Sequence, residues 1–430
     1  MASLSSLPSL SSFPSLASLP AFPSLPTLDR IQIPSSTSSL GLAAVGGLVS
    51  YLALVRGLRY RQREQLAKQF GYHGMSEAEI YEKLTLDHAQ EIMKALENRE
   101  FPFMFNTSLQ FALFRTYAIP SISRILKGTK QLSETSNAGR RYADTIVLIA
   151  EFSANALDSE RGSTALARMN HLHSLYPSIK PGDTLYTLLL FITQPPLFFD
   201  RFEWRKSTPL ERAAITKFWI EVGVRMKIPR EDIPTTYDAM MEWAEEYEKQ
   251  YMVPADSNNY VAEKTVDLLV YYIPTRPLRW VGRQFVIALL DDRLRIAMKM
   301  PEPYKWAQAT VYSLLWARKM FLRYFSLPRF TPRKTISEKH SKTGKYHLLV
   351  QDNEPWYVER KFWDRWGPWA LIQRIGGWPL PGDEGFGADG YEILEVGPRN
   401  LERSEHEKVL KEAEEIRTMG GYSRGGCPFH

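Results

Sequence analysis

From Thr37 to Val55 the chain runs for 19 residues without a charge, and the next eight positions bring Arg56, Arg59, Arg61 and Arg63. About 20 apolar helical residues span the hydrocarbon core of a bilayer, so this run can just cross one. Arginines gathered on one flank place the bulk of the chain on the cytoplasmic side and whatever precedes the run on the other. We therefore expect a transmembrane helix over 37–58. The competing reading is a helix buried in a soluble core, which the flanking arginines disfavour. A cleaved signal peptide fits less well, because it needs a basic stretch ahead of the apolar run and Arg30 is the only basic residue there.

Ahead of the run, residues 1–28 are almost entirely Ser, Leu, Pro, Ala and Phe, with SLP and FPSL recurring and no charge before Asp29. Frequent proline blocks helix propagation, and a serine-rich composition cannot build a core. The expectation over 1–36 is a flexible, extended leader, lumenal if the run spans.

After the run, apolar residues recur at spacings of three and four, which predicts helices near 76–98, 108–127, 136–157, 161–176, 182–200 and 207–226, then 235–250, 259–300 and 304–326. Strand-type alternation is scarce, so the fold class is all-α. From 327 to 402 the chain turns to Pro, Gly, Trp and basic residues, as in PRFTPRK, RWGPWA and GGWPLPGDEGFG, with few helical runs beyond about 357–375. A charged helix is expected over 403–419. We divide the chain into a helical catalytic domain over 59–326 and an irregular wrap with a C-terminal helix over 327–430, part of the same domain.

Composition excludes several function classes. The single cysteine, Cys427, can form no intrachain disulfide, cysteine-rich zinc site or iron–sulfur cluster. A net charge of +6 on 430 residues is modest, and no basic stripe points to nucleic acid. GFGADG at 385–390 satisfies GxGxxG, but that pattern binds dinucleotides only between a strand and a helix, and its neighbours here are proline-rich. Asp291 and Asp292 in DDRLR resemble half of an aspartate-rich magnesium motif whose third aspartate is replaced by Arg295; an ion pair with Arg293 or Arg295, or a helix cap, is the better reading. No histidine belongs to HExxH, a facial triad or ExxH, and neither GxSxG nor GxxxxGK[ST] occurs. The sequon Asn106-Thr107-Ser108 falls on the expected cytoplasmic side, out of reach of glycosylation.

One constellation survives. In ALARMNHLHSLY a helical projection puts Leu166, Met169, Asn170, His173 and Tyr176 on one stripe, with His171 rotated to another face beside Ala167 and Arg168. The two histidines cannot share a metal on a regular helix. One helix earlier, Arg141 and Thr145 stand four apart on a stripe that continues into Leu148 and Phe152. A buried arginine needs a partner, either a structural carboxylate such as Asp144 or Glu151, or a ligand: a propionate or an oxygen species. His173 is either a packed core histidine or a metal ligand. A neutral imidazole facing an Arg/Thr pair across a helical core makes a chemically sensible haem pocket.

The stretches FALFRTYAIPSIS (111–123), RYADT (141–145), LHSLY (172–176), FEWR (202–205), YMVP (251–254), DDRLR (291–295), RWGP (365–368), GYEILEVGP (390–398) and the terminal CPFH together resemble the fungal ER-bound oxygenase MpaB family of mycophenolic acid biosynthesis. The likeness runs from about residue 50 to the end. That family is distantly related to the bacterial rubber oxygenases, or latex clearing proteins, which are helical, bind haem b through one histidine and cleave isoprenoid double bonds with dioxygen. By this resemblance His173 is the axial ligand of haem iron, and Arg141 and Thr145 match the Arg-xxx-Thr pair lining the distal side. Asn170 stands where the rubber enzymes have an arginine, and Asp144 where they can have a lysine, so distal ligation by lysine is not implied.

The resemblance implies a single-pass ER membrane oxygenase with its C-terminal domain facing the cytosol. It would take haem b and dioxygen and oxidatively cleave a double bond in the prenyl or terpenyl side chain of a lipophilic intermediate. Its expected partners are that substrate, the ER membrane and other enzymes of the same pathway, with no nucleic acid. Two alternatives stay open at the level of sequence: a membrane-tethered helical scaffold that binds a lipid or partner without chemistry, and a cofactor-free or non-haem oxygenase using the same pocket.

Overall fold

A computed structural model describes residues 39–129, 135–340 and 342–419. The leader over 1–36 and Cys427 lie outside the described residues. By its contacts the chain divides into two units, Met1–Leu54 and Val55–His430. Helix α1 (Ser39–Gln69) begins in the first, where Leu42, Val45, Leu48 and Val49 are exposed. Its stretch Gly41–Gln69 is the one helix, among the described residues, long and apolar enough to cross a membrane.

The second unit is helical up to Tyr324 and largely irregular from there to Glu405, and the described residues contain no strand, only three isolated bridges in the region after 327. Its helices break where local chemistry dictates. The single helix expected over 76–98 is two, α2 (Glu77–Lys83) and α3 (Leu86–Ala95), because Leu84 is extended and the Thr85 hydroxyl accepts the His88 N–H as a cap. A π-turn over Leu96–Glu100 follows. The helix expected over 108–127 is likewise α4 (Pro102–Thr116) and α5 (Pro120–Gly128), since Pro120 forces Ile119 out of helical geometry.

Next come α6 (Thr135–Ala154), α7 (Glu160–Ser174), α8 (Pro181–Phe202), α9 (Pro209–Arg225), α10 (Tyr237–Tyr251) and α11 (Asp256–Leu269). The long helix expected over 259–300 is interrupted twice. It continues after Pro274 as α12 (Arg276–Leu289), and Asp291 caps α13 (Asp292–Ala297) by accepting the Leu294 N–H at 3.0 Å. Helix α14 (Lys305–Tyr324) closes the series. The irregular region then carries only α15 (Phe362–Trp366) and α16 (Pro368–Gly376) before α17 (His406–Thr418).

The principal pairings are α4 on α8, α3 on α9 and α7 between α6 and α17. Phe152, Leu166, Phe199, Trp204 and Phe218 are among the side chains buried in the main core. Burial of apolar surface at roughly 25 cal/mol per Å² drives this assembly, and two polar devices fix its register. In the first, Arg115 donates to both Glu248 carboxylate oxygens (2.6 and 2.7 Å) and pairs with Asp291, while the Tyr186 hydroxyl donates to Glu248 at 2.8 Å and Arg293 approaches it at 3.4 Å. The DDRLR aspartates thus divide: Asp292 pairs with Arg295 at 3.1 Å as expected, but Asp291 finds Arg115, a partner 176 residues away.

In the second device Arg168, fully buried on α7, donates to the carbonyls of Val396 (2.9 Å), Leu401 (2.8 Å) and Ser404 (3.4 Å), clamping the C-terminal segment onto α7. Gly397 permits the close approach: its φ is +133°, and a Cβ there would sit 3.2 Å from the Leu172 methyls. The GFGADG stretch is a loop in which Gly385, Gly387 and Gly390 all have positive φ and the Phe386 carbonyl accepts the Tyr357 N–H at 2.8 Å. It lies between no strand and helix, so the phosphate-binding context is missing.

Candidate functional site

An internal cavity of about 550 Å³ lies among α4 to α9, α11 and α12, with residues of the irregular region at one side. Its size is that of ordinary small-molecule sites, about 300 to 1,000 Å³. Leu113, Ile149, Leu172, Phe191, Trp219 and Leu289 give it an apolar wall, and a few polar groups interrupt that wall. His173, Arg141 and Thr145, the three residues singled out from sequence, all line it.

Helix α7 starts at Ser159, whose hydroxyl accepts the Gly162 N–H, and its last turns carry Met169, Leu172, His173 and Tyr176 along the cavity. The His173 imidazole makes no hydrogen bond to protein among the described residues. Burial first, and the Arg141 cation second, lower its pKa to about 4, so the ring is neutral at physiological pH. Burial among protein atoms and access to the cavity coexist because the ring borders an open space.

His171 points elsewhere, as its 200° rotation requires. Its Nε2 meets the Ser404 hydroxyl at 3.3 Å and Nδ1 lies 3.7 Å from Glu405, under the C-terminal segment. Asn170 corrects the helical projection. It does not share the His173 stripe but donates through Nδ2 to the Arg225 carbonyl and to Glu412, both at 2.8 Å, away from the cavity. At an offset of three residues the side chain is turned by about 60°, enough for α9 and α17 to capture it.

Opposite α7, helix α6 offers Arg141 and Thr145. Arg141 Nη1 donates to Thr145 Oγ1 at 2.8 Å, and the hydroxyl donates in turn to the Arg141 carbonyl at 2.8 Å. Neither candidate carboxylate partner serves Arg141. Asp144 accepts the Tyr357 hydroxyl at 2.7 Å and lies 3.9 Å from Arg140; burial above all pushes its carboxyl up to about 6. Glu151 receives Arg161 through two bonds of 2.7 Å and the Tyr391 hydroxyl at 2.6 Å. Among the described residues no carboxylate pairs with Arg141, so its charge and remaining N–H groups are left for whatever enters the cavity.

Further polar groups line the cavity that sequence reasoning missed. Glu97, in the π-turn, is pushed up to about 7 by burial, against the pull of Lys94 and Arg333. Asp352 is raised by burial, and Tyr117 to about 12 by burial despite Arg141. Asn106, the sequon asparagine, lines the same space. Asp183 accepts from Ser121 (2.9 Å) and Tyr247 (2.8 Å) through Oδ1, while its buried Oδ2 has no partner. The sequence carried no signal for these, because their convergence depends on how the π-turn, α8 and the loop at 352 come together.

The residues fit a haem bound through one protein ligand. The cavity wall is mainly apolar, and among the described residues one imidazole faces it, neutral with both ring nitrogens unclaimed, beside a guanidinium that no carboxylate pairs, at hand for an anionic or oxygen-bearing group. No group of three or more metal-ligating side chains occurs among the described residues, which is compatible with ligation by a single histidine.

Comparison with known proteins leads the same way. The family model described as "ER-bound oxygenase mpaB/B'/Rubber oxygenase, catalytic domain" matches residues 107–322, a span holding Arg141, Thr145 and His173. The ER-bound oxygenase mpaB' of Penicillium brevicompactum is 37% identical over 90% of this chain and 94% of its own length. The ER-bound oxygenase mpaB of the same species is 36% identical over 79% of this chain and 83% of its own. The mpaB of Penicillium roqueforti is 40% identical over 59% and 89% respectively.

Proposed function

The chain belongs to the family of ER-bound mpaB/B' and rubber oxygenases, and on that premise we propose that it oxidatively cleaves a carbon–carbon double bond in the prenyl or terpenyl side chain of a lipophilic secondary-metabolite intermediate. Family membership makes it an oxygenase that uses dioxygen on a small molecule in association with the ER. The finer reading is supported by one observation: a neutral His173 shares an apolar cavity with Arg141, and among the described residues neither the imidazole has a hydrogen-bond partner nor the guanidinium a carboxylate.

A haem b held by His173 would supply the activation of dioxygen. The protein's own contribution is positional. Burial and Arg141 keep the imidazole unprotonated, so its lone pair is available for ligation at any pH well above 4. Thr145 fixes the guanidinium by accepting its Nη1–H, which leaves the other Arg141 donors to orient an oxygen atom of the co-substrate or a propionate. The wall of Leu113, Ile149, Phe191 and Leu289 receives the hydrocarbon chain and keeps water from it.

We further propose a single-pass anchor over 37–58 with the leader in the lumen, a catalytic region over 59–326 facing the cytosol and the segment 327–430 wrapped onto it. A prenylated substrate gains about 0.8 kcal/mol per buried CH₂ in lipid, so an anchored enzyme meets it where it concentrates. Other enzymes of the same pathway would meet it there too.

The test is an absorption spectrum with iron quantitation on the purified full-length protein, alongside His173→Ala and His171→Ala, and incubation with a prenylated phenol under ¹⁸O₂. We expect a Soret band lost only in His173→Ala, and label in a shortened carbonyl product. A folded protein that carries no haem despite ample precursor, or that leaves the phenol intact when loaded, would overturn the reading.

A further inference from the structure

Helix α14 is apolar on both sides. Its inner stripe, Ala307, Val311 and Leu315, packs on Ala288, Phe285 and Leu289 of α12. Its outer stripe runs Trp306, Thr310, Leu314, Ala317, Phe321 and Tyr324, at spacings of four and three, and every member is exposed. Leu314 and Phe321 each keep 59% of their surface accessible. No charge interrupts that stripe over a helix of 20 residues, about 30 Å long. A surface helix ordinarily turns a charged face outward, and one that is apolar all round is covered by something.

Two observations identify the cover. First, between Glu302 and Glu338 the chain holds no acidic residue but seven basic ones: Lys305, Arg318, Lys319, Arg323, Arg329, Arg333 and Lys334. Arg318 is taken up by Glu203 and Arg333 lines the cavity, but Lys305, Arg323, Arg329 and Lys334 are exposed, and a Trp- and Phe-bearing stripe accompanied by exposed cations of one sign is the composition of helices that lie in the headgroup region of anionic membranes. Second, Arg59, buried and only four residues beyond the uncharged run that ends at Val55, donates through Nε to the Ser326 carbonyl at 2.8 Å and through Nη2 to the Leu327 carbonyl at 3.3 Å. A spanning run that ends at Val55 leaves Arg59 at the membrane boundary, and these bonds hold the C-terminal end of α14 beside it.

We propose that α14 lies in the plane of an anionic lipid bilayer, its outer stripe sunk to the acyl boundary, as a second membrane contact besides the anchor. The Arg59 argument rests on the spanning role given to 37–58. Helix α12, on which α14 packs, contributes Val286 and Leu289 to the cavity. The contact therefore sets the lipid surface one helix away from the cavity wall.

Site-directed spin labelling of the full chain, reconstituted in vesicles of phosphatidylcholine with phosphatidylserine, tests this. In a Cys427→Ser background, nitroxides are placed singly by Leu314→Cys, Ala317→Cys, Val45→Cys in the anchor and Glu407→Cys on the charged face of α17. Collisional accessibility is then read with oxygen, which concentrates in lipid, and with a water-soluble nickel chelate. The expected result is an oxygen-to-chelate ratio several-fold higher at 314 and 317 than at 407. Labels at 314 and 317 as open to the chelate as 407, with 45 in lipid, would overturn the in-plane helix and leave the anchor standing. With 45 also in water, both readings fall. Shielding from both reagents would show that protein covers the stripe and would overturn the proposal, whereas lipid exposure at 314 and 317 with 45 in water would keep the face and remove the spanning anchor.

Discussion

Two half-buried arginines, one on α4 and one on α6, show how differently this protein treats a cation. Arg115 on α4 is held by Glu248 and Asp291, and Glu248 receives Tyr186 as well, so charge and hydrogen bonds close on themselves. Arg141 on α6 has only a hydroxyl and opens onto a cavity. The protein can build carboxylate partners for a half-buried guanidinium and has aimed the two that share α6 with Arg141, Asp144 and Glu151, at other residues. A closed network is scaffold, whereas a cation left open beside a neutral imidazole on a cavity wall is what the proposed function assigns to a ligand.

The contrast can be broken most forcefully on the closed side. Glu248→Ala takes from Arg115 the carboxylate that accepts two of its bonds, leaves it Asp291 alone and strips Tyr186 of its acceptor, and should cost up to about 3–5 kcal/mol, read as a lower urea midpoint for the purified full chain. A loss under about 1 kcal/mol would mean the network is not the scaffold described.

A somewhat smaller effect sharpens the open side through pH. The Glu97 carboxyl is pushed up from 4.5 to about 7 by burial, so between those values the folded protein keeps a proton that the unfolded chain has lost. Its contribution is present in full below 4.5 and is lost as pH rises through 7, about 3 kcal/mol in all. Glu97→Gln should flatten that part of the stability profile, and an unchanged profile would remove Glu97 as its source.

The smallest expected change in stability is the most diagnostic. Arg141→Met removes an unpaired cation and should leave the urea midpoint unchanged to within about 1 kcal/mol, or raise it, while product formation is lost. If Arg141→Met destabilises as much as Glu248→Ala, the two arginines are alike and the comparison collapses.

Three residues picked from the sequence, His173, Arg141 and Thr145, share one cavity, whereas much of what surrounds them was not legible. Arg141 and Thr145 of RYADT, and Leu172, His173 and Tyr176 of LHSLY, line the cavity because a spacing of three or four on a helix survives any tertiary arrangement. Asn170 did not follow, since one side chain at the edge of a stripe goes wherever a neighbouring helix offers partners. The all-α class was plain in the periodicity, but the breaks at Thr85, Pro120 and Asp291 fell inside apolar runs that looked continuous. Glu97 and Asp183 carried no pattern, being brought to the cavity by a π-turn and by the first turn of α8. Several family stretches are scaffold: in FEWR, Glu203 meets Arg318 at 2.9 Å, and Arg205 meets Glu211 at 2.7 Å and Glu100 at 2.9 Å.

The Arg168 clamp also bears on how the enzyme is made. The guanidinium on α7 finds its acceptors at Val396, Leu401 and Ser404, residues translated more than 220 positions later. At about 5–20 residues per second a ribosome takes roughly 10–45 s to deliver them. Throughout that interval the helix bearing His173 stands with an unsatisfied cation on its back, and Pro398 is missing from the cavity wall. The pocket is therefore finished last, so a nascent or prematurely terminated chain can display its apolar α1 long before the cavity wall is complete.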